Sequence, residues 1–345
     1  MTSRTLVPVA VAGLTLSLAV GGLLVPSPAA AVVLGTPVTT ASTVFGKAGA
    51  CTFSPSATPN TTDTGAFVED GVPVTKSTSS STTISQAGDS STASASVTHT
   101  VTATAANGAL KNVHIVDALQ ASVNADLGAA TTCAAAAAAA ALTQFTFDLP
   151  TAKYLLFEAD EVNTQMTVLI QKGLGGPDPV VEFDSPVYAP HHMRTVSVFL
   201  PAGSYQGLIQ HVVNAHAPSA TNTITSRTGK ATVDLTFEEP GAAMAAAEGD
   251  GGKYVDLAAG RSCGTASLAA TWKSKAGKGK NVKVKKATFY VNGVKVKSVK
   301  KPKKKDVTTL PGLDPLKTLD VLVKVKLVKH GAGTVTVERS YLPCS

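Results

Sequence analysis

Through much of the chain apolar residues recur at every second position, the period of a strand with one buried face. In "ASVTHTVTATA" (95–105), Val97, His99, Val101 and Ala103 share one face and Thr98, Thr100, Thr102 and Thr104 the other. "LKNVHIV" (110–116), after the Asn107-Gly108 turn signal, reads as a further strand. From 144 to 238 come "QFTFDL", "KYLLFEA", "QMTVLIQ", "PVVEF", "TVSVFL", "YQGLIQHVV" and "KATVDLTF", several of them separated by turns such as "GGPDP" and "PAG". Short strands at this spacing predict an antiparallel β-sandwich. Phe145, Phe147 and Leu149, and likewise Val233, Leu235 and Phe237, give single strands one core face.

The pattern returns near the end. "DVLVKVKLV" sets Val321, Val323, Val325 and Leu327 inward and Lys324 and Lys326 outward, and "GTVTVERSY" follows after a "KHGAG" loop. Asn292-Gly293, between Val291 and Val294, is a two-residue hairpin signal. It pairs Phe289 with Val296 and Ala287 with Ser298 on the apolar face, and Tyr290 with Lys295 and Thr288 with Lys297 on the wet face. Consecutive Lys285 and Lys286 flip the alternation and imply a bulge, while "KKPKKK" (300–305) must be a loop. The tract of eight alanines at 134–141 is the strongest local helix former. It reads as a short helix or a connector held by Cys133.

The start changes the picture. Arg4, the apolar run ending at Val25 and the small-residue site Ala29–Ala31 read as a secretory signal peptide, 1–31. An exported chain with four cysteines implies two disulfides. Cys51–Cys133 and Cys263–Cys344 each close within one compositional region; isolated cysteines do not suit zinc. The net charge of +7 conceals a division. From Arg261 onward, 20 Lys and Arg face 4 Asp and Glu, a net +16; residues 32–260 carry 9 against 19, a net −10. The expected organisation is an acidic Ser/Thr/Ala-rich region and sandwich at 32–240, with its core at about 144–238, a Gly/Ala-rich linker at 241–260, and a basic sandwich at 261–345. The opposite charges also suggest an intramolecular contact between the two domains.

Arg261–Ser345, with its "YVNGVKVK" hairpin and bracketing cysteines, resembles the lysine-rich, immunoglobulin-like β-sandwich modules of secreted actinobacterial proteins. Cys263, Trp272 and Cys344 invite an antibody-type core, but Cys344 is penultimate, so a staple between first and last strands is expected. "FTFDLP…VSVFLPAGSYQGLI…KATVDLTF" resembles the pre-peptidase C-terminal and carbohydrate-binding jelly rolls. The acidic element typical of the former is missing, so no calcium or ligand site carries over.

No nucleophile elbow, zinc-protease helix, phosphate loop or EF-hand loop occurs. "APHHMRT" (189–195), with His211 and His216 a strand away, is the one histidine cluster, and an extended backbone sends His191 and His192 to opposite sides. His99 reads as a satisfied buried or edge histidine. Glu158, Asp160 and Glu161 of "FEADE" read as a solvated turn, and the alternating threonines as an ordinary wet face. Aromatics at 5% leave few sugar-stacking platforms. Residues 281–305 hold ten lysines and no acid. Lys283, Lys285, Lys295, Lys297, Lys324 and Lys326 form the candidate polyanion-contact face. With 18 lysines to 2 arginines in the block, base-specific nucleic-acid recognition is not expected. These features together predict an all-β protein, a jelly-roll-like antiparallel sandwich followed by a smaller Ig-like one. It would be secreted, without cofactor, metal or enzymatic activity, and held electrostatically to an anionic cell-wall polymer or glycan. The competing readings are a carbohydrate-binding or hydrolytic domain at 144–238, with His191, His211 or Glu158 at its site, and a purely structural surface protein.

Overall fold

The computed structural model describes residues 34–46, 52–54, 60–86, 89–106, 109–126, 134–173, 179–185, 188, 190–217, 223–273, 283–328 and 333–345. The expected signal peptide, the Asn107-Gly108 turn, Cys51 and Cys133 lie outside them. The first strands are β1 (Leu34–Gly46), β2 (Thr52–Ser54), β3 (Asn60–Thr64), β4 (Val74–Gln86), β5 (Asp89–Ala106) and β6 (Ala109–Asp126). Then come β7 (Ala134–Leu149), β8 (Lys153–Val162), β9 (Gln165–Lys172), β10 (Pro179–Asp184), β11 (His192–Leu200), β12 (Gly203–Ala217) and β13 (Thr223–Glu238).

These strands form two antiparallel sheets, ordered β10-β9-β12-β7-β1-β3 and β11-β8-β13-β6-β5-β4-β2. Within them the eight consecutive strands β6 to β13 interleave as 7-12-9-10 and 6-13-8-11, the double-sheet order of a jelly roll. The jelly roll therefore begins at Ala109, one strand before β7, in which the expected core limit of 144 falls, and β1 to β5 widen both of its sheets. Hydrophobicity understates these early strands because their inward side chains are small.

The alanine tract is the clearest correction: it is not a helix but the first half of β7, a central strand between β1 and β12. Ala135, Ala137, Ala139 and Ala141 are its buried positions. Eight alanines are too few for an isolated helix. Pairing on both edges satisfies the backbone instead, and tertiary context overrides propensity.

Four strands change character at one inward position. Val101, Ile115, Phe145 and Ile209 belong to an aromatic-rich core cluster, and Val97, Leu119, Ala141 and Val213 to an alanine-rich one. Between them, on the same strands, stand His99, Asp117, Thr143 and His211, all buried. Within the aromatic half, Gly207 of β12 leaves room for the Phe145 ring; a Cβ there would fall 2.4 Å from it.

The second sandwich contains β14 (Val255–Leu257), β15 (Leu268–Trp272), β16 (Lys283–Val291), β17 (Val294–Lys300), β18 (Val307–Leu310), β19 (Leu319–Val328) and β20 (Thr334–Tyr341). Its sheets are β14-β15-β18 and β17-β16-β19-β20. The stretch 241–260 is not a free linker. It supplies β14 and the 3-10 turn Asp250–Lys253, and bridges Ala243 to Tyr341 and Glu248 to Glu338. Its glycines serve close approach: a Cβ on Gly251 would fall 2.7 Å from the Thr336 backbone. Trp272 is buried edge-on to Phe289, donating its indole N–H to Thr308 at 2.9 Å. Cys263 and Cys344 form the expected staple, with Cα atoms 5.5 Å apart.

Candidate functional site

The lysine hairpin is built as the Asn-Gly signal requires. Asn292 and Gly293 take φ of 49° and 77°, as a primed turn demands, and Val291 pairs with Val294 and Tyr290 with Lys295. Beyond that point a bulge shifts the expected register. Phe289 pairs with Lys297 and Thr288 with Ser298, leaving Val296 as the extra, exposed residue. Bulging twists an edge strand away from further pairing. The bulge expected at Lys285–Lys286 is present, as a shift between Val284 and Lys286 against β19.

These two irregularities decide which lysines share a face. Lys295, Lys324 and Lys326 stand outward on the four-stranded sheet, as expected. Lys297 does not; its ammonium turns towards the other sheet and donates to the Thr309 carbonyl at 2.7 Å. Lys285 is exposed at the bulge, and its carbonyl accepts the Lys301 N–H at 3.1 Å. Lys283 opens β16 opposite Val328, and its side chain lies outside the described residues. In their place the sheet brings out Lys286 and Lys300, which the sequence reading missed. Lys300, Lys286 and Lys326 are direct cross-strand partners, one row over three strands. Adjacent strands lie about 4.8 Å apart, so three cations stand side by side, an arrangement that costs stability by itself. The next row, Ser298–Thr288–Lys324, adds hydroxyls, and Lys324 lies over the Tyr290 ring at 5.1 Å from its centroid. Among the described residues, none of Lys286, Lys295, Lys300, Lys324 and Lys326 enters an ion pair. The acids of this sheet, Asp320 and Glu338, sit at its other end, opposite Ser340 and Leu322. The doublets at 285–286 and 300–301, at matching distances from the turn, were the available signal for Lys286 and Lys300.

The jelly roll holds the second concentration of ionisable groups. Lys76, His99, Asp117, Ala231, Glu161 and His192 form one continuous cross-strand row over six strands of the seven-stranded sheet. The facing sheet carries Met166, His211, Ala141, Thr39 and Asp63 in a corresponding row. Lys76 meets Asp63 across the sandwich at 3.4 Å. Asp117 accepts from Nδ1 of His99 through one oxygen and from Nδ1 of His211 through the other, while His99 Nε2 lies 2.9 Å from Thr143 Oγ1. Burial would raise the Asp117 carboxyl, but its contacts with His211 and His99 together hold it below the usual aspartate range. Glu161, also buried, accepts from Ser185 at 2.9 Å and Thr164 at 3.2 Å, with His192 3.6 Å from its other oxygen.

Thr143, His99 and Asp117 have the hydroxyl–imidazole–carboxylate order of an acyl-transfer triad. With Thr143 at 0% exposure, its hydroxyl meets no solvent in this conformation. His99 is satisfied and buried, as read from the sequence. His191 and His192 do part to opposite sides, His191 bonding Asp160 at 2.7 Å outside and His192 facing Glu161 inside. His191, His211 and Glu158 are not brought together. Among the described residues no three of His, Cys, Asp and Glu gather as a metal-binding group.

No protein-family model matches the chain, and no curated protein matches its sequence. Among solved structures there is a match to the Spr0440 glycoside hydrolase domain, Endo-D, from Streptococcus pneumoniae R6, at 9% identity and a TM-score of 0.18. It covers 66% of this chain and 34% of that one, so this chain spans about a third of the other's length.

Proposed function

We propose that this is a secreted, non-enzymatic binding protein whose second sandwich attaches it to an anionic cell-wall polymer or glycan. The observation that supports this is the outward row Lys300–Lys286–Lys326, flanked by Lys295 and Lys324 and without ion pairs among the described residues. Lysines on an edge strand discourage sheet-to-sheet aggregation, but Lys286 and Lys326 lie on the inner strands β16 and β19, where that role does not apply. Ammonium groups suit diffuse attraction to repeating negative charge better than base-specific recognition. The test is retention of the full chain on immobilised polyphosphate and on dextran sulfate, compared with the Lys286→Gln/Lys300→Gln/Lys326→Gln variant. Wild type should stay bound well above about 0.15 M salt, where the screening length is about 8 Å, and the variant should elute much earlier. Elution of wild type below that concentration, or co-elution of the two, would remove the proposal.

A further inference from the structure

Both oxygens of Asp117 face an Nδ1 atom, one from each histidine, so both rings carry their hydrogen at Nδ1. The far nitrogens differ. His99 Nε2 has Thr143 Oγ1 at 2.9 Å, a hydroxyl able to donate or accept. Among the described residues, His211 Nε2 is buried and has no hydrogen-bond partner. An isolated carboxylate in the interior is very costly unless a counter-charge accompanies it. Level with the triad, the described residues of the surrounding elements offer no unpaired cation; Arg227 of β13, four residues from Ala231 on the same face, stacks on the Tyr188 ring. On β4, Lys76 stands opposite His99 but is engaged by Asp63 of β3. On β8, Glu161 brings a second carboxyl, with His192 Nδ1 of β11 at 3.6 Å from it. At this level β1, β7, β9 and β13 contribute Thr39, Ala141, Met166 and Ala231.

We propose that the triad folds with one additional proton held between the sheets, His99 as imidazolium against the Asp117 carboxylate and His211 neutral, so that the jelly roll is a pH-tuned element that loosens in acid. A proton on His99 Nε2 has an acceptor in Thr143; one on His211 Nε2 has none and would leave the interior with a net positive charge. The consequence follows from proton counts. The folded triad keeps one proton beyond its neutral-imidazole, carboxylate state. Unfolded, the same two histidines bind two such protons well below pH 6.5, the reference value for free histidine, and none well above it. In acid the unfolded chain therefore binds one proton more than the folded one, and stability falls as pH falls. In alkali it binds one fewer, and stability falls as pH rises. Each limb changes the folding equilibrium about tenfold per pH unit.

Two measurements on the full chain test this. Long-range 1H–15N spectra of the histidine rings at pH 7 should show His99 protonated on both nitrogens and His211 as the neutral Nδ1–H form. Two neutral rings, or two charged ones, would overturn the proposal. Urea unfolding of wild type and His211→Gln between pH 5 and 8 should show the acid limb flattened by about tenfold per pH unit in the variant, with its alkaline limb kept. An acid limb as steep in His211→Gln as in wild type would equally overturn it. If that variant does not fold, the ring spectra of wild type decide.

Discussion

Asp117 anchors the interior through hydrogen bonds to two buried imidazoles. Truncating it by Asp117→Ala leaves two imidazoles facing an empty site, and removal of one member of a buried pair costs about 3–5 kcal/mol. Urea unfolding at pH 7 should show a loss of that size. Its carboxyl lies below the usual aspartate range despite burial, because His211 and His99 outweigh desolvation. A depressed acid stabilises the fold above the range where free aspartate titrates, about pH 3.9, and that contribution is lost as the pH falls through the lower folded value. Circular dichroism between pH 2 and 4 should show this loss in wild type and its absence in Asp117→Asn. The belt was partly legible in the sequence. His99 between Val97 and Val101, Asp117 between Ile115 and Leu119, and His211 between Ile209 and Val213 each interrupt an alternating inward set. What one strand cannot reveal is that these interruptions share a level, because that depends on the registers of six paired strands.

At the scale of elements, β7 shows composition yielding to partners. Its alanines favour a helix locally, yet as a strand they sit where the two sheets meet through small side chains, with Thr43 reaching Thr82 across the gap at 2.9 Å. Enlarging such a site overpacks it: Ala139→Leu should cost about 1–3 kcal/mol, read as a lowered thermal midpoint, although leucine is also a good helix former. Had the tract been helical, the substitution would have been nearly neutral. The hairpin divides the same way. Its turn and its Lys285–Lys286 bulge were visible in residue types, whereas the second bulge at Val296 was not, since "VKVK" alternates without interruption. That bulge exchanges Lys297 for Lys300 on the wet face, which is why the lysine set read from alternation was partly misplaced.

For the molecule as a whole, the all-β antiparallel sandwich was legible from strand spacing and turn residues, and its jelly-roll character only through a resemblance, while the strand order and the limits of each sandwich were not. Small or polar inward residues hid β1 to β4 and the first half of β7, and glycines that permit close backbone approach in 241–260 resembled those of a linker. The second sandwich is stapled over a separation of 81 residues. Opening it with Cys263→Ser/Cys344→Ser should cost about 4 kcal/mol by the loop-entropy estimate, seen as a lower urea midpoint for that sandwich. The charge that this sandwich displays is tested most directly by salt. Binding of the full chain to polyphosphate, titrated from about 0.05 to 0.3 M salt, should give log K falling linearly with log salt. The slope should weaken by roughly 0.7 for each of Lys286, Lys300 and Lys326 changed to glutamine. A slope near zero, or one left unchanged by all three substitutions, would contradict the lysine row as the binding face.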